Sequence, residues 1–134
     1  MAKRHELENP IYTQMEESLN KIGPGMCLAK WTQVTLQLQT GHNHSCHHPR
    51  THKINLNEIK RNPSALHNTQ YKKLRRREML TGKRPEECDY CWNVEDNSDR
   101  FSDRTFKSQE SWSKPHFDEI VNQDWREDFN PRYV

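Results

Sequence analysis

A small α+β domain is the fold class this sequence predicts, and three observations lead there. The stretch Thr32-Gln33-Val34-Thr35-Leu36-Gln37-Leu38-Gln39 alternates apolar and polar residues at the period of a half-buried strand. Several other segments space their apolar residues at the period of a helix. The chain is also very polar: 31% of its 134 residues are hydrophobic, against roughly 45–50% in an average globular protein. So polar a chain buries little core, and small domains of that kind rely on a disulfide, a metal or a partner. Four cysteines are available for that part.

Residues 1–24 form a polar lead-in. Ile11, Met15, Leu19 and Ile22 fall at helical spacing, so a short amphipathic helix is expected there. Gly23-Pro24-Gly25 closes it as a turn-rich boundary. The strand Thr32–Gln39 follows. Gly41 and Asn43 supply turn residues, and Ser45–His48 is expected to return as the second strand of a hairpin. Asn55, with Glu58 three residues on, signals a helix start, and Pro63 ends that helix early.

A second helix is expected from near Asn68 through Tyr71, Leu74 and Met79, capped by Gly82 and followed by Pro85. Lys72 to Arg77 are placed along its exposed side. It delivers the chain into Cys88-Asp89-Tyr90-Cys91. Residues 95–111, rich in Asp, Ser, Asn and Arg, read as a loop with little core. Phe117, Ile120, Val121 and Trp125 predict a last short amphipathic helix, and Asn130–Val134 an extended tail. The resulting division is a lead-in over 1–24, a cysteine-bearing domain over 25–96, and a polar linker with a short helix over 97–134.

The N-terminal Met1-Ala2-Lys3-Arg4 has no apolar stretch behind its charges, so no signal peptide is expected. No run approaches the roughly 18 apolar residues that span a bilayer. Both points predict a cytoplasmic protein without membrane contact, in a compartment where paired cysteines serve as metal ligands or redox groups more often than as disulfides. No serine–histidine–acid set or phosphate-binding glycine loop stands out.

Cys88 and Cys91 form a CxxC, a spacing used by zinc sites, iron–sulfur sites and thioredoxin-like redox motifs. The redox use needs a βαβ setting and a helix start just after the first cysteine, and neither is clear. Cys27 precedes the strand and Cys46 follows the turn, so a hairpin would bring these sulfurs together. The helix then returns the CxxC to the same end. The expectation is one four-cysteine metal centre formed by a hairpin and a CxxC knuckle, with polar, flexible ends. Thiolate-only sites favour iron–sulfur clusters or zinc, and spacing does not separate the two. His42, His44, His47, His48 and His52 crowd around Cys46. They are read chiefly as exposed residues of the turn and return strand, with a mixed Cys/His zinc site as the other reading.

The pattern Cys27-x13-Gly41-x4-Cys46, followed by Cys88-x2-Cys91, resembles the auxiliary-cluster pattern of the SPASM and twitch domains of radical-SAM enzymes. The text from Asn57-Glu58-Ile59 through Tyr71-Lys72-Lys73-Leu74-Arg75 and Leu80 to Cys88 is similar to the segment leading to those domains' CxxC. The resemblance covers roughly residues 26–96. It implies an auxiliary 4Fe–4S cluster ligated by Cys27, Cys46, Cys88 and Cys91, acting as an electron relay or substrate anchor. The partner it implies is a radical-SAM catalytic barrel, in cis or in trans, preceded by a segment resembling Asp124-Trp125-Arg126 to Tyr133-Val134. The CxxxCxxC motif that binds the catalytic cluster is missing from these residues. The chain by itself is therefore not expected to cleave S-adenosylmethionine, and no site for that molecule is predicted. The alternative is a zinc-stabilised four-cysteine module that contacts nucleic acid through the basic run Lys72–Arg77, by counterion release.

Overall fold

Pro10 opens the first helix, α1 (Pro10–Ile22), where its missing N–H costs nothing. The computed structural model describes residues 10–46 and 48–134. The first nine residues of the predicted lead-in, and His47, lie outside the described residues. Met15 and Leu19 are the buried side of α1, as the spacing predicts, while Ile11 is largely exposed. Tyr12 packs edge-on against Phe106, with ring centres 5.0 Å apart.

A four-residue helix, α2 (Ala29–Thr32), takes the first residues of the predicted strand. Thr32 is drawn into it because its hydroxyl bonds the Leu28 carbonyl at 3.0 Å and the Ser113 hydroxyl at 2.5 Å. One local and one long-range hydrogen bond together override its β preference. The strand itself shrinks to β1 (Thr35–Gln37). The period-two pattern is therefore not a buried face: Val34 belongs with Trp31 in the core, whereas Leu38 sits in the turn at 74% exposure.

Gly41 adopts a φ of 73°, the left-handed value the tight turn requires. The return strand is β2 (His42–His44), three residues earlier than Ser45–His48, and β3 (His52–Lys53) adds a third strand. The sheet is antiparallel with order β1-β2-β3, pairing Thr35 with His44 and His42 with Lys53.

Asn55 caps α3 (Leu56–Arg61) through its side chain, and Pro63 starts a 3-10 turn immediately after it. Thr69 caps α4 (Gln70–Leu80), accepting from the Lys72 amide, and Gly82 follows with a φ of 84°. Next come α5 (Asp89–Asn97), α6 (Asp103–Gln109) and α7 (Phe117–Asn122).

Residues 95–111 are thus not a loop with little core. Phe101, Ser102, Arg104, Thr105 and Ser108 are all buried, and α6 packs along α1. Its polar composition hid a helix whose inner face is made of small hydroxyls and one arginine. The core gathers Met15, Leu19, Met26, Leu28, Trp31, Met79, Trp92, Ile120 and Phe129 around Cys88 and Cys91. Near the C-terminus, Tyr133 forms a parallel bridge with Gln33. Among the described residues the fold is mixed α+β, with a small antiparallel sheet beside helices. No described helix is long and apolar enough to cross a membrane.

Candidate metal centre

Cys27 lies in the bend between α1 and α2. Gly25 makes that bend possible: a methyl group there would overlap the Lys83 carbonyl and the Arg84 Cα. The chain approaching Cys27 can therefore lie directly against the chain approaching Cys88. Cys46 follows β2, where the His44 ring Nδ1 hydrogen-bonds the Cys46 carbonyl and holds the backbone after the strand. Cys88 ends a 3-10 turn, and Cys91 sits in the first turn of α5. The Trp92 indole N–H donates to the Pro85 carbonyl at 2.8 Å, locking that helix onto the turn before it.

The fourth wall comes from α6. The Ser108 hydroxyl donates to the Cys27 sulfur at 3.9 Å and accepts the Leu28 amide at 3.0 Å. The Cys27 thiol points at the Arg104 carbonyl, 4.0 Å away. Arg104, 1% exposed, links four segments. Its Nε and Nη2 grip the Glu95 carboxylate at 2.9 and 2.7 Å. Its Nη1 reaches the Met26 carbonyl and its Nη2 also reaches the Asn20 side chain. One guanidinium thus ties α1, the Cys27 bend, α5 and α6 together.

All four cysteines are free thiols and all four line one recess. The cavity itself is small, about 20 Å³. Ala29, Pro49, Met79 and Trp92 supply apolar walls. The thiols ring this space without closing on a point: among the described residues, no three His, Cys, Asp or Glu side chains are placed to share one ion.

Burial, and then repulsion by the neighbouring Cys46, Cys91 and Cys88, pushes the Cys27 thiol up to about 12. Cys91 is likewise raised to about 12, chiefly by burial and against hydrogen bonds from the Arg104 backbone and Ser102. Burial also raises Cys88 and Cys46, while the Lys30 ammonium pulls both the other way. Each of these shifts favours the neutral thiol. Deprotonating them together requires a positively charged guest.

The CxxC does have a helix starting just after its first cysteine, at Asp89. The other requirements of a redox motif are missing from the described residues. The sheet is antiparallel rather than βαβ, and the thiols are raised where a reactive cysteine is lowered.

The histidines depart from the expectation of exposure. His44 is buried, and His42, His48 and His52 are partly so. His48 lines the recess, stacks on Tyr90 with ring centres 3.8 Å apart, and faces Asp103 at 2.5 Å. His52 bonds the Thr69 hydroxyl at 2.6 Å, and burial lowers its pKa to about 4.

The basic run also departs from its predicted place. Lys72 and Arg76 are buried, Lys73 pairs with Asp128 at 2.7 Å, and Arg75 pairs with Glu78 at 2.5 Å. Arg77 lies over the Trp125 ring. The exposed basic face required for the nucleic-acid reading is therefore largely consumed within the fold.

No protein family, curated protein or solved structure matches this chain. The site accordingly rests on its own geometry. Sequence spacing located its four thiols, but it missed Lys30, Arg104 and Ser108. Their only sequence signal was polarity, which here marks interior groups.

Proposed function

We propose that Cys27, Cys46, Cys88 and Cys91 bind a 4Fe–4S cluster, and that the chain is an auxiliary cluster module serving a radical-SAM catalytic domain. The observation that carries this reading is the meeting of four thiols from separate segments around a single apolar-walled recess. The donor set fits the group: all-thiolate sites suit iron–sulfur clusters and zinc. Between those two, the resemblance of the cysteine spacing to twitch domains favours the cluster. The Cys27–Gly41–Cys46 spacing with the later CxxC supports the radical-SAM assignment, through its resemblance to twitch domains.

A bound cluster would supply one-electron transfer. The residues around it hold and shield it. Ser108 donates to the Cys27 sulfur, the Arg104 and Ser102 region hydrogen-bonds Cys91, and Trp92 and Met79 keep water from the inner wall. The test is iron and acid-labile sulfide analysis of protein purified without oxygen. About four irons and four sulfides per chain is the expected result. One zinc and no sulfide, with iron and sulfide supplied, would replace the cluster with a structural zinc site.

A further inference from the structure

Lys30 is 2% exposed, a depth at which an ammonium without partners is strongly disfavoured. Its Nζ lies 2.7 Å from the Glu87 Oε1, and Lys30 lines the recess together with Cys88. The other carboxylate oxygen of Glu87 accepts the Tyr71 hydroxyl at 3.0 Å. The main chain carrying Lys30 is held in turn, because the Arg76 Nε donates to the Lys30 carbonyl at 3.1 Å. Neither charge is free to swing away.

At 2.7 Å each charge is met by its counter-ion, which the burial of both demands. The pair is oriented: Lys30 lines the recess with the four cysteines, whereas Glu87 stands behind it. Arg104 offers a contrast on the opposite wall, where its guanidinium is turned toward Glu95, Asn20 and Met26.

We propose that Lys30 and Glu87 form a fixed charge pair that sets the reduction potential of a cluster held by the four cysteines. The ammonium favours the reduced state and the carboxylate opposes it. The inference rests on the cluster reading above. Reduction adds one electron, and so one negative charge, to the cluster. A buried cation lining the recess stabilises that charge, and an anion behind it destabilises it. Lys30 and Glu87 are positioning residues here, since neither ligates the metal.

The experiment compares midpoint potentials of the wild-type chain, Lys30→Met, Lys30→Arg and Glu87→Gln, each loaded with iron and sulfide without oxygen and titrated against redox mediators. Lys30→Met is expected to lower the midpoint and Glu87→Gln to raise it. Each shift should be at least tenfold in the redox equilibrium, about 59 mV for one electron. Lys30→Arg, which keeps the charge, should stay within threefold of wild type. A merely structural role would not give opposite signs. Loaded variants whose midpoints stay put, or move in the same direction, would overturn the proposal. If Lys30→Met fails to load, Glu87→Gln decides alone: a rise supports the pair and no change refutes it. A wild-type chain that takes up no iron and sulfide overturns the cluster reading, and the pair proposal with it.

Discussion

Two pairs of buried cations solve the problem of interior charge differently. On the recess side, Lys30 meets Glu87 and Arg104 meets Glu95, so each cation has a carboxylate at 2.7 Å. On the α4 side, Lys72 and Arg76 are equally buried but are met by neutral oxygens. The Lys72 Nζ donates to the His67 carbonyl, and Arg76 donates to the Lys30 carbonyl and the Asn68 side chain. Burial accordingly drives Lys72 well below its ordinary pKa and Arg76 to about 9. The first arrangement keeps charge beside the thiols, where a charged guest would sit. The second braces the main chain that presents Lys30.

The sharpest way to break this contrast is through the thiols. Cys88→Ser is expected to abolish cluster loading and to lower the melting temperature below that of the loaded wild type, because it uncouples the CxxC from the hairpin. Full metal content with an unchanged melting profile would refute a shared site. Arg104→Met comes next. It removes the cation from the largely buried Glu95 carboxylate, and breaking such a pair costs about 3–5 kcal/mol. Denaturant unfolding measures this.

Arg76→Met should cost less, about 1–3 kcal/mol, because only two neutral acceptors lose a donor. If Arg76→Met proved as damaging as Arg104→Met, the two regions would not differ as described. Smallest of all is Lys73→Ala, which removes a partly exposed pair with Asp128 and should change stability by about 0–1 kcal/mol.

A pH measurement separates the regions further. His52 carries a pKa lowered from 6.5 to about 4, mainly by burial and then by Lys72 and Lys30. Its neutral form therefore contributes stability above pH 6.5 that is lost as pH falls toward 4, because the unfolded chain takes up the proton first. His52→Gln should flatten that part of the stability curve. A curve of unchanged slope between those values would remove His52 from the account.

The helices of the first half were legible because their signals are local. Asn55 and Gly82 stand where caps are needed, the expected start near Asn68 falls one residue before the Thr69 cap, and Met15 and Leu19 mark one buried face. Cys27, Cys46, Cys88 and Cys91 line one recess, but among the described residues no three ligand side chains gather as the single metal centre expected from the spacing. Two things were not readable. The start of the predicted strand gave way to a helix turn because Thr32 bonds the Leu28 carbonyl within that turn and the distant Ser113 hydroxyl. The α6 helix was hidden because its inner face is Arg104, Thr105 and Ser108, whose burial depends on contacts with Glu95, Asn20 and Cys27 far along the chain. Polarity marks a surface only when no distant partner exists.

X-ray absorption on the metal-loaded chain, prepared without oxygen and with iron, sulfide and zinc all offered, tests the central claim most directly. A first shell of sulfur alone with iron–iron scattering is the predicted result. A lone zinc, or nitrogen ligands drawn from histidines such as His44 or His48, would contradict it.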